Sequence, residues 1–358
     1  MRYALIGTGR ISINHIIAAQ NNCDELQIVA VCDLEKARMD AVLKNTGISG
    51  QVTQYTDFKK MIEEQKPDLV AIATESGLHA SIGIYCLNHN CNVIIEKPIA
   101  MSIKEADDLI EAADRNGRII AVCHQNRFNK SMQIIKKAVV ENRFGKISHI
   151  AAHVRWNRNE SYYNQASWRG TWADDGGCLM NQCIHNADLL CWILGDIDEV
   201  FAYTNNSQHP YIEGEDLGIA LVKSKNGSYG IFEGTVNVFP QNLEETFYVF
   251  GEKGTVKADG TSVNCISKWA FSDISEDEEQ EIIDLCNESP PNIYGFGHER
   301  LYRNVILALK TNTRPLIDGV EGKKALELVL AMYKSKKTGL PIKLPLDEFS
   351  SVDMTGTF

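Results

Sequence analysis

"YALIGTGRIS", residues 3 to 12, decides the fold. Tyr3 to Ile6 read as a buried strand, and Gly7 and Gly9 then turn the chain sharply into a helix. Ser12 stands where a dinucleotide fingerprint wants glycine or alanine; it is small enough for close helix–strand packing, but departs from the pattern. Gly7 permits the tight turn. Gly9 lets the backbone approach a pyrophosphate seated on the helix N-terminus. Asp33 ends the next strand, 21 residues after Ser12, where an acid accepts hydrogen bonds from the adenosine ribose hydroxyls. An acid there repels a 2′-phosphate, so NAD is expected over NADP, with Arg38 nearby as a small opening for NADP. The alternative for Asp33 is a cap on the following helix.

Outward from this turn, strand and helix alternate to residue 123. "QIVAVCD", "PDLVAIAT", "CNVIIEK" and "RIIAVCH" are apolar strands. "LEKARMDAVLKNTG", "DFKKMIEEQ", "HASIGIYCLNHN" and "SIKEADDLIEAADRNG" are helices between them. Such alternation specifies a parallel sheet with helices on both faces. From about residue 146 strands follow one another: "KISHIAAHVRW", "IDEVFAYTN", "DLGIALVKS", "SYGIFEGTVNV", "ETFYVFG" and "GTVKAD". That pattern is a mostly antiparallel sheet. Two late helices, "GFGHERLYRNVILALKTN" and "DGVEGKKALELVLAMYKSKKTG", are expected on one face of it, and the acidic run "SEDEEQEIID" as a solvated loop or strand edge. The division is therefore an α/β domain over 1–123 and an α+β domain with an open sheet over 124–358.

A chain of 358 residues suits two domains. Its net charge of −11 argues against nucleic acid or an anionic membrane as the main partner. No apolar run approaches the roughly 20 residues of a membrane span. There are ten cysteines, several lying singly in apolar segments (Cys32, Cys123, Cys191), as small hydrophobes in a reducing cytoplasm do. His79, Cys86, His89 and Cys91 fall close together, but their irregular spacing argues against a metal site, and none is expected.

"VIIEKPIAMS", residues 93 to 102, ends a buried strand with Glu96 and Lys97 against Pro98. Neighbouring strand residues point to opposite faces, so the two charges are not expected to pair. Strand and proline together hold Lys97 rigidly at the carboxyl end of the sheet, where ligands of α/β folds bind. "GGCLMNQCIHNADLLCWILG", residues 176 to 195, reads as one helix with Asn181, His185 and Asp188 on one face. A polar stripe on an apolar helix is costly unless paired, which favours a ligand-facing role over a buried network. The loop "YYNQASWRGTWADDGG" is dense in rings and charge: Tyr163, Trp168, Arg169 and Trp172 suit a sugar or nucleotide, or else tuck into an interface.

With "GTGRIS", "EKP" at 96 to 98, Asn181 and His185 after "DGG", "GHERLY" and "PLIDGVEGKKALELVLAMYKS", the chain resembles the Gfo/Idh/MocA oxidoreductases over nearly its whole length. "HQNRFN", "YYNQASWRGTW", "LMNQCIHNADLLCW" and "NSQHPYIEGED" are most similar to the subgroup that oxidises C3 of UDP-linked N-acetyl-amino-glucuronate, ahead of a transaminase that makes 2,3-diamino sugars for surface polysaccharide such as lipopolysaccharide. The resemblance implies a Rossmann domain, NAD as cofactor, and a second domain whose open sheet serves as the interface of a homo-dimer or homo-tetramer. It places Gly7, Gly9, Arg10, Ile11, Asp33, Thr74, His79, Glu96, Lys97 and Gln125 around the cofactor. Asn181, Gln182, Tyr163, Trp168 and Arg169 would meet a nucleotide-sugar. Lys97 and His185 would be catalytic, both remaining candidates for the base, and Pro98 would be cis. Many relatives carry Asp where this chain has Asn181, and Pro or Asn after the threonine of "TESGLH". Rival readings are another sugar or inositol dehydrogenase, an NAD-dependent glycosidase and a non-catalytic NAD-binding regulator; intact Lys97 and His185 speak against the last.

Overall fold

The computed structural model describes residues 1–288 and 296–358 and divides into two compact units. The first unit is Met1–His124 with His298–Lys323; the second is Gln125–Gly297 with Lys324–Phe358.

In the first unit, strands β1 (Arg2–Ile6), β2 (Gln27–Cys32), β3 (Thr53–Tyr55), β4 (Leu69–Ile72), β5 (Asn92–Ile95) and β6 (Ile120–Val122) form one sheet in the order β3-β2-β1-β4-β5-β6. Every pairing is parallel. The strand order reverses between β1 and β4, the switch point of a doubly wound sheet. Helices α1 (Ser12–Gln20), α2 (Lys36–Asn45), α3 (Phe58–Gln65), α4 (His79–Asn88) and α5 (Ile103–Asn116) fill the connections. Burial on both faces explains why β4 and β5 are apolar almost throughout, without alternation. Helix ends follow their capping chemistry: Ser102 accepts the Glu105 N–H at the start of α5, and Gly117 adopts the left-handed turn that ends it. β3 is absent from the sequence pattern because its three residues carry no readable period.

The second unit holds an eight-stranded sheet in the order β13-β12-β11-β7-β10-β9-β8-β14. Its strands are β7 (Ile147–Arg155), β8 (Ile197–Asn205), β9 (Leu217–Ser224), β10 (Tyr229–Thr235), β11 (Glu244–Gly251), β12 (Gly254–Asp259), β13 (Cys265–Phe271) and β14 (Ile342–Lys343). Among the described residues only β7 and β10 pair in parallel; the expected antiparallel character holds elsewhere. β9 alternates strictly between buried and less buried residues, so one face of the sheet is covered. Helices α6 (Lys130–Val140), α7 (Glu160–Tyr163), α8 (Gly177–Asn181), α9 (Ile184–Leu194) and α10 (Glu276–Cys286) complete the unit with the later part of α12 (Gly319–Thr338). A Cβ at Gly218 would lie 2.5 Å from the Leu179 side chain, and one at Gly234 would lie 2.7 Å from Cys183 Sγ, so the α8–α9 segment rests directly on the sheet. The other face exposes Tyr203, Ile219, Leu221, Tyr229 and Ile231.

Four expectations are corrected. The run 176–195 is two helices, because the Cys183 N–H reaches back five residues to the Cys178 carbonyl (3.2 Å) and widens the turn between them. The acidic run is helix α10: Ser275 and Glu278 form a capping box, and four acids in the first turn complement the helix dipole. The boundary after residue 123 is not the whole division. From His298 onward, α11 (Gly297–Thr311) belongs to the first unit, where Tyr302 lies edge-on to Tyr3 of β1. The segment that follows covers the edge of the sheet, with the Val122 N–H donating to the Ile317 carbonyl (3.0 Å). The two late helices therefore do not share one face of the second sheet; Gly295, which opens the first of those stretches, lies outside the described residues. No helix among the described residues is long and apolar enough to cross a membrane.

Candidate active site

At the carboxyl end of β1, Gly7 has φ +90°, and a Cβ there would lie 2.5 Å from the Ala73 carbonyl carbon and oxygen. Only glycine fits. Among the described residues a Cβ at Gly9 would meet no atom within 4 Å, so nothing in their packing demands that glycine. Ser12 closes the turn, its hydroxyl donating to the Gly9 carbonyl at 2.5 Å. The N-cap residue of α1, Ile11, makes no side-chain cap, and the first turn carries no acid. An uncapped helix start behind an open glycine is what a pyrophosphate requires. Arg10 is exposed and Ile11 half-buried beside it. Asp33 is half-buried; its Oδ2 accepts from the Thr8 N–H (2.7 Å) and hydroxyl (2.9 Å), and its Oδ1 from the Glu35 N–H (2.9 Å). The carboxylate therefore braces the glycine turn as well as the start of α2. These residues fit a dinucleotide.

The Glu-Lys-Pro segment follows β5. The Lys97–Pro98 bond is cis, as the resemblance implies. Lys97 is half-buried, and its backbone N–H donates to Glu96 Oε2 (3.2 Å). Glu96 is itself buried, and its Oε1 lies 3.1 Å from Nε2 of both His15 and His298. Burial pushes its carboxyl up, but the hydrogen bonds from the two imidazoles outweigh it and hold the group well below the usual range. The tautomers follow from this acceptor. Both imidazoles donate through Nε2, so His15 Nδ1 accepts from the Tyr302 hydroxyl (2.7 Å), and Tyr302 accepts from Tyr3 (2.8 Å). Burial pushes the Cys123 thiol up, and the Glu96 charge pushes it further.

The donor atoms of His15, Glu96, Cys123 and His298 lie within 4.8 Å of one another, close enough to surround a cation. Their mutual hydrogen bonds already account for the carboxylate and both imidazoles. Among the described residues, the earlier candidates His79, Cys86, His89 and Cys91 do not assemble into such a group. Buried His79 is instead a strut, with Nδ1 2.7 Å from the Pro98 carbonyl and Nε2 3.1 Å from the Thr74 carbonyl. It ties the Thr74 loop to the Glu-Lys-Pro turn.

In the second unit, His185 is half-buried on α9, with Nε2 3.4 Å from Nε2 of Gln125. Asn181, also half-buried, donates through Nδ2 to Asp175. The third member of the expected stripe departs from it: Asp188 is buried and holds Arg127 bidentately at 2.7 and 2.8 Å. That is an internal ion pair, and the stripe is functional at most over Asn181 and His185.

The aromatic loop sorts itself by burial. Trp172 is wholly buried and lies edge-on to Tyr333, and Tyr163 is buried against His209 and Tyr211. Both take the tucked-in role, and Tyr163 offers no open face to a ligand. Trp168 and Arg169 remain partly open, the Arg169 guanidinium lying 4.6 Å from the Trp168 ring centre and 4.3 Å from that of Tyr162. Tyr162 and Arg158, not anticipated, complete a cluster. Arg158 Nε donates to Gln182 Oε1 (2.8 Å), Gln182 Nε2 donates to the Tyr162 hydroxyl (2.8 Å), and Arg169 donates to the same hydroxyl. Two guanidinium groups thus flank one phenol, an arrangement suited to an anion carried beside a flat ring. Adjacency to Tyr163 hid Tyr162, because a four-residue helix gives no period to choose between them.

Residues 1–124 match the model of an oxidoreductase family with an NAD-binding Rossmann fold, and residues 132–257 match the GFO/IDH/MocA C-terminal domain. The WlbA dehydrogenase of Bordetella pertussis, solved with NADH and UDP-GlcNAcA, is 36% identical, covers 97% of this chain and 98% of its own, and superposes with a TM-score of 0.87. The WlbA enzyme of Chromobacterium violaceum, in complex with the same two ligands, is 38% identical over 97% and 96%, also with a TM-score of 0.87. Myo-inositol 2-dehydrogenase of Thermotoga maritima is 24% identical over 96% of this chain and 98% of its own length. With an NAD-binding first unit, a matching second unit and full-length likeness to dehydrogenases, the chain belongs to the Gfo/Idh/MocA oxidoreductase family and is an NAD-dependent enzyme.

Proposed function

We propose that the enzyme oxidises the C3 hydroxyl of a UDP-linked N-acetyl-amino-glucuronate. What carries this reading is the likeness, at 36–38% identity over nearly the whole chain, to two dehydrogenases solved with UDP-GlcNAcA. The Arg158–Tyr162–Arg169 cluster supports it, since a diphosphate and a uronate are anions that a plain cyclitol lacks. The product would be a 3-keto sugar, ready for a transaminase on the way to a 2,3-diamino sugar of surface polysaccharide.

In this reading Gly7, Gly9, Arg10 and Ile11 surround the pyrophosphate, and Asp33 takes the adenosine ribose. Thr74 and Gln125 line the cofactor, whereas His79 and Glu96 act from behind it. The bound nicotinamide supplies the acceptor for the hydride. The chain's own task is to orient the hydroxyl and to remove its proton. Lys97, fixed by the strand end and Pro98, holds the hydroxyl oxygen. His185, whose imidazole can take up a proton through a ring nitrogen, accepts it. Asn181 and Gln182 orient the sugar. Removing Lys97 should cost at least about a hundredfold in hydride transfer. The Lys97→Ala variant is expected to lose that step while NAD binding stays nearly intact; near-normal oxidation in it would remove Lys97 from the mechanism.

Likeness to an inositol dehydrogenase at 24% identity keeps a cyclitol as the second reading. A single-turnover mix of enzyme, NAD and UDP-N-acetylglucosaminuronate decides. NADH formation with a product two mass units lighter supports the nucleotide-sugar reading. Reduction of NAD by myo-inositol or a free sugar alone would replace it.

A further inference from the structure

In this mechanism the Glu96 side chain acts from behind the cofactor, and its contacts say how. It carries a buried charge, and the groups around it come from several parts of the first unit, the Cys123 thiol just after β6 among them. His15 belongs to α1, directly behind the glycine turn. His298 belongs to α11, which returns to this unit from more than 200 residues further along the chain. Its Oε2 accepts the backbone N–H of Lys97. The rings of His15 and His298 meet edge to face at 5.2 Å, and Tyr302, one turn along α11 from His298, fixes the far nitrogen of His15. Tyr302 is anchored in turn by Tyr3 of β1. A buried carboxylate stripped of one donor is left poorly solvated and must shift or draw in water. The group that moves with it is the peptide carrying Lys97.

We infer that His298, with His15 and Tyr302, is a positioning residue for hydride transfer: through Glu96 it fixes the Lys97 backbone relative to the glycine turn. α11 is then a strap that locks the lysine-bearing strand end to the cofactor-bearing helix. The inference rests on the role proposed for Lys97. It predicts damage of a particular kind. Loss of His298 misplaces Lys97 in the reacting complex while leaving the glycine turn and Asp33 intact, so hydride transfer suffers and cofactor binding does not.

The experiment compares the full-length wild type with His298→Ala, His298→Gln and Lys97→Ala. It measures single-turnover hydride transfer from UDP-N-acetylglucosaminuronate to NAD, the KM for that sugar, the NADH dissociation constant by fluorescence, and thermal melting. His298→Ala is expected to slow hydride transfer at least tenfold, with KM and NADH affinity each within threefold of wild type. His298→Gln puts an amide N–H where the imidazole Nε2–H was, and is expected to recover to within threefold of wild type. This rescue keeps the proposal testable if the alanine variant folds poorly. Hydride transfer within twofold of wild type in His298→Ala overturns the inference. So does a glutamine variant that folds normally yet is as slow as alanine, or a loss of NADH affinity equal to the loss of rate. Lys97→Ala separates the two ideas: if it transfers hydride normally, the role of Lys97 fails first; if it is inactive while His298→Ala is unimpaired, only the strap fails.

Discussion

Two glycines of one turn are glycine for different reasons, and the difference can be measured. At Gly7 any side chain meets the backbone of Ala73 and must adopt a positive φ, so Gly7→Ala should destabilise the first unit by about 2 kcal/mol or more. At Gly9 an added methyl meets no atom of the described residues within 4 Å, so Gly9→Ala should change stability by less than about 1 kcal/mol. It should nevertheless weaken NAD binding at least about tenfold, because the methyl would stand in the way of the pyrophosphate. Denaturant midpoints and NADH titration of the two variants check this, and equal stability losses would undo the distinction. A second residue-scale test concerns Glu245 of β11, buried with Asn126 donating to it at 3.2 Å. Burial raises its pKa to about 8 from an ordinary 4.5. The folded protein therefore holds a proton there that the unfolded chain has released, and stability is lost as pH rises from about 4.5 to about 8. Glu245→Gln keeps an acceptor for Asn126 and cannot ionise. Its stability relative to wild type should climb between pH 5 and pH 8, and a pH-independent difference would refute this account.

At the scale of elements, the loop between β8 and β9 is held by a histidine–aspartate pair. Asp216 accepts from His209 Nδ1 (3.0 Å) and from the N–H groups of Ser207 and Gln208, while His209 Nε2 donates to the Arg158 carbonyl at 2.6 Å. Burial pushes the His209 pKa down, but the bonds to Asp216 and to the Arg158 carbonyl outweigh it and leave the pKa raised. A raised histidine stabilises fully below its unfolded value and loses that contribution as pH climbs through the folded one. Asp216 behaves oppositely: its pKa is lowered to about 2, so its contribution is lost only as pH falls toward that value. The stability gap between wild type and His209→Gln should therefore be widest near pH 5 to 6 and close toward pH 9, as melting temperatures would report; a gap that widens with pH would be fatal. This pair also shows where sequence reading stops. β8 and β12 were legible to the residue because a half-buried strand alternates and a turn bounds it. The Rossmann turn was legible because its chemistry is local. β14, two residues long, had no period to read. Arg127 with Asp188, Glu96 with its two histidines, and Arg158 with Gln182 are partnerships that only folding brings together, so a lone arginine or histidine carried no local mark of them. The polar stripe breaks for the same reason: Asp188 pairs with Arg127, 61 residues away.

At the scale of the molecule, the uncovered face of the second sheet is the place to look for self-association. Tyr203, Leu221 and Tyr229 are 68%, 62% and 57% exposed on neighbouring strands, a patch that a monomer rarely leaves open to water. Leu221→Arg at its centre is expected to weaken a dimer or tetramer by about a hundredfold, seen by light scattering across a dilution series, with NADH affinity unchanged. An assembly indifferent to this charge would use another surface. The return of residues 298–323 to the first unit carries a consequence for synthesis and for dissection. A ribosome releasing this chain exposes β1 to β6 long before it makes α11, so for most of translation Glu96 waits without one of its two imidazoles and the edge at β6 stays unsealed. A fragment cut at residue 124, where the first unit looks complete on paper, would keep the glycine turn and lose the strap. Its natural excision is instead a discontinuous one, with 298–323 joined behind β6 through a short linker in place of the second unit.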